Sequence, residues 1–303
     1  MRRIAVLLSL GLLLGSGRAH ADRDAINLGQ APLPPASDGL VQSLSPEALA
    51  PGALRANVWM GYARKPLVLH NVARGEEFAL IADRVFTDYA LALGVLNRLE
   101  LSVALPFILN ESGHDLSEVI DRPKLPSTAT GNLELGYKTT WLKPGDVGGF
   151  TLGSRGIVAL PTGSKAAFLS SGAPEGELGL LSALHLMVFE VRAGAGVRLR
   201  GTEPTLLQVR YGNELRWNLG LQFRPILLGW DQSGGTRIGL EFSGASGLSG
   251  LASSGANGAL IGLGVSRRMG SLSVNAGCQL PLGSRPGNPQ MRAFFGLGWT
   301  NDE

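Results

Sequence analysis

Charged side chains recur at every second residue in several stretches of this 303-residue chain. From Glu190 to Arg200, every charged residue occupies an even position, and valine, alanine or leucine occupies every odd one. Side chains two apart share one face of a strand, so these charges lie together. A buried charge without a partner costs several kcal/mol, so the groups must pair across strands or meet water. The chemistry that this pattern favours is therefore ion pairing or the selection of ions. The candidate residues on such charged faces are Glu100, Glu134, Lys138, Arg155, Glu190, Arg192, Arg198, Glu214, Arg216, Arg224, Arg237, Glu241 and Arg292.

Motifs for catalysis are weak by comparison. The run Thr162-Gly163-Ser164-Lys165 resembles part of a phosphate-binding loop, but the earlier glycine and the Gly-Lys-Ser order are missing, so it is predicted to be an external hairpin. His185 lies three residues from Ser182, and alternation puts the two side chains on opposite faces, which argues against a serine–histidine pair. We therefore predict no enzyme activity and no cofactor.

A cluster of acidic residues occupies the longest predicted loop. Glu111, Asp115, Glu118 and Asp121 could bind Ca²⁺, but their spacing is not that of a calcium-binding loop. The sequence favours a solvated acidic loop and no metal site.

The elements that carry the charged faces are predicted from alternation with a period of two. From Glu214 to Arg224, every odd position is apolar and every even position is polar or glycine. Transmembrane β-strands need about 9–11 residues with this pattern. About twelve such segments occur: Leu54–Arg64, Val85–Leu96, Arg98–Phe107, Asn132–Lys143, Thr151–Leu160, Glu177–Leu186, Glu190–Arg200, Glu214–Arg224, Thr236–Ser243, Ala259–Ser266, Ser271–Leu280 and Met291–Thr300.

The composition of the two faces distinguishes a membrane barrel from a soluble sandwich. Sandwich strands are shorter, about 5–6 residues, and their outer faces carry much lysine, threonine and serine. Here the polar faces carry glycine, alanine, glutamate and arginine, which suit a narrow lumen, and the apolar faces carry no charge. We predict an all-β fold, a transmembrane antiparallel up-and-down β-barrel of about 12 strands, whose lumen is lined by the candidate residues above.

The connections between segments alternate in length, as in outer-membrane barrels. Short ones such as Asn97-Arg98 alternate with longer ones, the longest being Asn110–Gly131. Only the short first connection and the eighth, Pro225–Gly235, disturb the rule. An even strand number then puts both termini in the periplasm.

The first 21 residues have the order of a secretory signal peptide. Arg2 and Arg3 precede the apolar run Ile4–Leu14, and Ala19-His20-Ala21 forms a cleavage site. The alternative is a membrane anchor, but this run is shorter than the roughly 20 residues that a membrane helix needs. Cleavage removes three of the 27 basic residues and leaves 24 against 24 acidic ones, so no nucleic-acid partner is expected.

The rest of the chain divides into two parts. Residues 22–53 do not alternate and contain the proline-rich run Ala31-Pro32-Leu33-Pro34-Pro35, which is typical of irregular structure. They form either a periplasmic leader or a plug in the lumen, and both remain open. Residues 54–303 form the barrel, and its expected partner is outer-membrane lipid.

Several turn and strand motifs resemble the barrel half of OmpA-type outer-membrane proteins, related to the MetA-pathway of phenol degradation and transporter-like barrel family. The motifs include Ala159-Leu160-Pro161-Thr162-Gly163, Gly212-Asn213-Glu214-Leu215 and Arg292-Ala293-Phe294-Phe295-Gly296-Leu297. The resemblance covers roughly residues 40–300 and implies membrane and fold well, but function poorly. Many relatives carry a peptidoglycan-binding domain after the barrel, and none is seen before Glu303.

Two functions fit this fold. The first is a passive channel or transporter for small solutes, and the second is a structural barrel with a filled lumen. The full inward set adds Asp88, Glu177, Arg98 and Arg200, which gives ten basic and seven acidic groups, so an open lumen should favour anions. Leu219 is predicted to face lipid, and Gly220 to face a lumen wide enough for a polar replacement.

Overall fold

The computed structural model describes residues 27, 40–71, 76–114, 125–147, 149–202, 205–206, 209–210, 212–229, 231, 233–248, 258–283 and 288–301. Within them, twelve long antiparallel strands form one closed sheet, which confirms the predicted all-β barrel. No helix of these residues has the length and apolar character needed to cross a membrane. The strands are β1 (Leu54–Asn71), β2 (Glu76–Leu96), β3 (Leu99–Ser112), β4 (Leu133–Val147), β5 (Phe150–Leu160), β6 (Glu175–Leu186), β7 (Phe189–Arg200), β8 (Glu214–Phe223), β9 (Thr236–Gly247), β10 (Gly258–Met269), β11 (Leu272–Pro281) and β12 (Met291–Thr300).

The barrel closes because the first and last strands pair along their length. β1 and β12 are in register from Arg55 opposite Thr300 to Arg64 opposite Met291, and every other strand pairs with its neighbours in the chain. Closure satisfies the backbone donors and acceptors that an open sheet would leave at its edges. Both ends of the barrel chain therefore lie at one end of the barrel. We call this the turn end, because it also carries the short connections, and the opposite end the loop end.

Side chains alternate between an apolar outer face and the lumen. On β8, Leu219 and Leu221 are 46% and 43% exposed, whereas Gln222 is fully buried. The same pattern exposes leucines on every part of the wall, among them Leu178 at 59% and Leu297 at 53%. A continuous apolar belt of this size is unfavourable in water and is typical of a surface that contacts lipid.

Aromatic rings border the belt at the turn end. Trp141 and Trp299 are half-exposed there, and the rings of Phe189 and Phe223 pack with centroids 5.1 Å apart. On the same outer face, Tyr89 of β2 contacts Phe107 of β3 edge to face, with ring centroids 5.6 Å apart. Aromatic residues at such positions match the interfacial girdles of membrane barrels.

The hairpin of β1 and β2 is longer than the alternation predicts. The sequence places the start of the second strand at Val85, whereas β2 begins at Glu76 and pairs with β1 up to Asn71. A register shift after Arg64 interrupts the pattern, and the inner face beyond it is apolar, with Leu67 and Ile81 fully buried. The prediction of a polar inner face is therefore wrong for the part of this hairpin that extends beyond the apolar belt.

The longest turn-end connection, 224–235, is shaped by local hydrogen bonds. It contains a short 3-10 helix, Pro225–Leu228, and Asp231 accepts the backbone N–H groups of Ser233 at 3.0 Å and Thr236 at 2.6 Å. Hydrogen bonds from Ser233 and Thr236 hold the pKa of Asp231 below its usual range. The connection lies at the turn end because β8 ends there and β9 begins there.

Candidate functional site

An N-terminal segment, residues 40–50, occupies the lumen. The backbone N–H groups of Val41, Gln42 and Ser43 all donate to the carboxylate of Glu241, at 2.9, 2.9 and 2.8 Å. The segment belongs to no sheet, so wall side chains replace the strand partners that its backbone lacks. Residues 40–50 therefore lie against the inner face of the wall. We call residues 40–50 the lumen segment.

A second set of polar contacts holds the far end of the lumen segment. Ala48 donates its backbone N–H to the hydroxyl of Thr140 at 2.8 Å, and Leu49 donates to Glu100 at 3.0 Å. Glu100 also forms an ion pair with Lys138 at 3.1 Å. The predicted charged residues thus bind the segment as well as one another.

Apolar side chains of the lumen segment fill gaps in the wall. Val41, Leu44 and Leu49 are each buried, and burying such a side chain stabilises by about 1.5–3 kcal/mol. The sequence predicted a polar lumen and missed these apolar patches. The contacts are Val41 in a cluster with Trp59, Ala63, Phe86 and Phe294, Leu44 with Leu181, and Leu49 with Ala53 and Ala92.

Wall glycines make room for the lumen segment. A Cβ atom added to Gly94 would lie 2.0 Å from the carbonyl oxygen of Ala50, and one added to Gly220 would lie 2.8 Å from Cβ of Ser43. Both distances are shorter than packed atoms tolerate. Glycine is required at position 94, where the nearest atoms are backbone, whereas a larger residue at position 220 would displace the side chains of Leu40 and Ser43. The expectation that the lumen beside Gly220 admits a polar replacement is therefore wrong, because the segment already fills that space.

A dense network of ion pairs lies on the inner face of β5, β6, β7 and β8, nearer the loop end. Arg198 and Glu175 form a buried pair in which Nε of the arginine lies 2.9 Å from the carboxylate. Arg200 joins Glu214 at 3.0 Å. Glu177 accepts from Arg155, and Arg216 approaches it at 3.2 Å. These ion pairs join neighbouring strands, except that Arg216 on β8 reaches Glu177 on β6 across β7.

The loop between β5 and β6 folds into the loop end of the barrel. Ala167, Phe168, Ser170 and Ser171 are buried. Arg84 connects this loop to the wall, because its guanidinium donates to the carbonyl of Ala167 at 2.9 Å and pairs with Glu111 at 2.8 Å. The external hairpin predicted around Thr162 is therefore part of a loop that narrows the lumen.

A polar cavity of about 250 Å³ lies at the turn end, beside the lumen segment. Arg192 and Lys138 are its buried cations, whereas Arg224 and Arg268 are more exposed. Glu190 lies between two of these groups, 2.6 Å from Arg192 and 3.4 Å from Arg224. Its cationic lining residues are Arg55, Lys138, Arg192, Arg224, Arg237 and Arg268, and its carboxylates are Glu47 and Glu190.

The structure divides the predicted lumen residues between these regions. Arg155, Arg198, Glu214 and Arg216 meet in the ion-pair network, and Glu241 and Glu100 hold the lumen segment. The buried members are Glu100, Lys138, Glu190, Arg192, Arg198, Glu214, Glu241 and Arg292, and the half-buried ones are Glu134, Arg155, Arg216, Arg224 and Arg237.

Two arginines lie in surroundings that the charge pattern did not predict. Arg292 lies over the ring of Phe86, 4.7 Å from its centroid, in a cation–π contact. Arg98, which the alternation pointed inward, is exposed in the turn before β3 and donates to the carbonyl of Trp141 at 2.5 Å. The inward prediction for Arg98 was wrong because this residue belongs to a turn, where the period-two pattern no longer applies.

His185 lies beside a buried hydroxyl and a carboxylate of the lumen. His185 lies 3.3 Å from the hydroxyl of Thr151 and 3.6 Å from Glu190, but Thr151 is fully buried, so its hydroxyl cannot meet a substrate. Ser182 donates to the carbonyl of Ala193 and is not a partner of His185. Across the described ranges, no cluster of three or more histidine, cysteine or carboxylate groups could hold a metal ion. Of the acidic loop, Asp115, Glu118 and Asp121 lie outside the described residues.

No protein-family model and no curated protein matches this sequence. The barrel is similar in structure to an outer-membrane channel from Pseudomonas putida F1, with a TM-score of 0.64 and 16% identity over 86% of this chain and 100% of that one. It is also similar to the NanC porin, with a TM-score of 0.51 and 7% identity over 82% of this chain and 99% of that one. At these identities the likeness concerns the fold, and the chain has the fold of outer-membrane channel barrels.

Proposed function

We propose that this protein is a passive, non-enzymatic outer-membrane channel for small solutes, and that the lumen segment closes it. The apolar belt supports the membrane location, and the resemblance of several motifs to transporter-like outer-membrane barrels supports membership of that group. The observation that carries the proposal is the way the lumen segment is held. Its backbone is bound by side chains of Glu241, Thr140 and Glu100 rather than by a strand ladder.

Release of such a segment costs less than opening the barrel wall. Each barrel strand forms backbone hydrogen bonds on both sides, whereas the described part of the lumen segment has a few side-chain acceptors. A net hydrogen bond contributes about 0.5–1.5 kcal/mol, and burial of each of Val41, Leu44 and Leu49 about 1.5–3 kcal/mol. These contacts lie outside the backbone ladder of the wall, so they can be lost without unfolding the sheet. Displacement of the segment would leave the charged wall residues in place, together with the apolar patches that the segment covers.

Replacement of Glu241 by alanine is expected to raise the open probability in planar bilayers by about tenfold or more, because three N–H groups of the lumen segment lose their acceptor. Ser243→Ala is the matched control, since it removes a lumen hydroxyl from the same strand without removing an acceptor of the segment. Equal conductance of the two variants would contradict the role given to Glu241.

A reversible disulfide between the lumen segment and the wall tests the same proposal by holding the channel closed. Ser43→Cys with Gly220→Cys, in a Cys278→Ser background, places two thiols where the Cβ atoms lie 2.8 Å apart. A disulfide needs about 3.5–4.5 Å, which a small shift of the segment supplies. Oxidation should abolish conductance and a reductant should restore it. An oxidised, cross-linked protein that still conducts would exclude the segment as the closing element.

The second candidate function is a structural barrel with a filled lumen. The observation that favours it is the burial of the ion-pair network, in which Glu214 is 2% and Arg198 is 7% exposed. This reading predicts no conductance from the native protein, from Glu241→Ala or from the reduced double-cysteine variant. Channel activity in any of the three separates the two candidates.

A further inference from the structure

The turn-end cavity has the composition of an anion-binding site. Six of its lining residues are permanently cationic at neutral pH and two are carboxylates. Counting Glu100, which pairs with Lys138 from outside the cavity, the excess of positive charge is still three. A concave site lined mainly by one sign of charge raises the local concentration of the opposite ion. We propose that this cavity binds a small multivalent oxyanion, one that carries two or more carboxylate or phosphate groups.

The cations differ in depth. Arg192 is 2% exposed and Lys138 is 7% exposed, and both are held in ion pairs with glutamates of the wall. Arg224 is more open, with a third of its side chain exposed, and Arg268 is exposed. Arg192 and Lys138 therefore form the rigid floor of the cavity. The outer residues Arg224 and Arg268 can turn toward an incoming ligand.

Hydroxyl groups lie between the arginines around the wall. Ser266, Ser273 and Thr300 line the cavity on the strands between Arg237 and Arg55. Thr300 is 7% exposed, and its hydroxyl finds no hydrogen-bond partner among the described residues. A buried hydroxyl without a partner is costly, and a ligand oxygen would satisfy it. This observation points to an oxygen-bearing ligand independently of the charge.

The chemistry of the donors selects the class of ligand. Guanidinium groups match carboxylate and phosphate in planar, paired hydrogen bonds, and such charge-assisted bonds are about twice as strong as neutral ones. The volume of about 250 Å³ is below the roughly 300–1,000 Å³ typical of sites for drug-sized ligands, so a compact metabolite fits better. A neutral sugar would leave the excess charge uncompensated.

The position of the cavity connects it to the lumen segment. Glu47, Ala48 and Leu49 form part of its wall. An anion bound here would contact the segment that we propose closes the channel. As a selector of permeating solutes the cavity rests on the proposed channel function, but as a binding site it does not.

The test is calorimetric titration of the full mature chain in detergent at low salt, with citrate and pyrophosphate as probes and glucose as the neutral control. We expect saturable binding of at least one anion and none of glucose. Arg224→Gln with Arg237→Gln should weaken that binding by about tenfold or more. Binding should also weaken as salt rises, because screening shortens to about 3 Å at 1 M.

The matched control removes two positive charges from the loop end. Arg64→Gln with Lys65→Gln changes net charge equally, and Lys65 forms only a partly exposed pair with Glu77 at 3.1 Å. Binding within about twofold of the native value is expected for this variant. Equal weakening in both double variants, or equal binding of glucose, would overturn the proposal.

Conductance distinguishes failure of this site from failure of the channel. Citrate or pyrophosphate binding by a protein that never conducts, even with Glu241 replaced, would refute the channel and leave the site intact. Conductance without binding of either anion would refute the site alone.

Discussion

Replacement of Leu219 by arginine is expected to destabilise the assembled barrel by about 2–4 kcal/mol, the cost of a cation on the lipid face near the bilayer midplane. Leu219 lies at the middle of β8, is 46% exposed on the outer face, and stands opposite Ala193 and Phe242 on the neighbouring strands. In a soluble protein an arginine at a half-exposed position would cost little. The measurement is the fraction of protein that migrates as a compact band on a gel without heating, compared with the heated sample.

Met187→Arg provides the matched control for this experiment. Met187 is 94% exposed in the turn between β6 and β7, so it lies outside the belt. The same change of an apolar side chain to arginine should leave the compact band nearly unchanged. Similar losses in the two variants would mean that the exposed leucines do not contact lipid.

Replacement of Arg198 by methionine is expected to lower the free energy of unfolding by about 3–5 kcal/mol, because it leaves buried carboxylates without their principal cation. Arg198 is 7% exposed and donates to Glu175 through two nitrogens. Arg200 approaches Glu175 only at 3.5 Å, so it compensates poorly. Urea unfolding in lipid vesicles, followed by tryptophan fluorescence, measures the change.

Arg224→Met tests whether burial of the ion pair causes the loss of stability expected for Arg198→Met. Arg224 has a third of its side chain exposed and lies 3.4 Å from Glu190, and a pair of this kind contributes at most about 1 kcal/mol. Comparable destabilisation by both substitutions would show that the network does not depend on exclusion of water. A small effect at Arg198 alone would show that water reaches Glu175 in the folded protein.

The ion-pair network changes what the inward arginines are expected to do. The sequence predicts that an excess of basic groups makes an open lumen favour anions, and replacing Arg198 and Arg216 by glutamate would on that basis shift it toward cations. Each of these arginines instead contacts a carboxylate, Arg198 that of Glu175 and Arg216 that of Glu177. Reversal of both charges would therefore create buried like-charge contacts, and loss of stability should precede any change of selectivity.

The sequence by itself determined the wall of this barrel. All twelve alternating segments became strands, and β8 runs from Glu214 to Phe223, one residue short of the prediction. Alternation is local, because the period of a strand follows from backbone geometry and the lipid accepts only apolar side chains. The pattern failed at Arg98, in a turn, and at the start of β2, which lies beyond the belt.

Only the tertiary structure decided what fills the barrel. Val41, Leu44 and Leu49 have no regular spacing, and no nearby residue indicates that their partners are Trp59, Leu181 and Ala92. The acceptor of the three N–H groups, Glu241, lies about 200 residues away in the chain. A wall strand satisfies its backbone through its neighbours in sequence, whereas the lumen segment depends on side chains that meet only when β12 closes on β1.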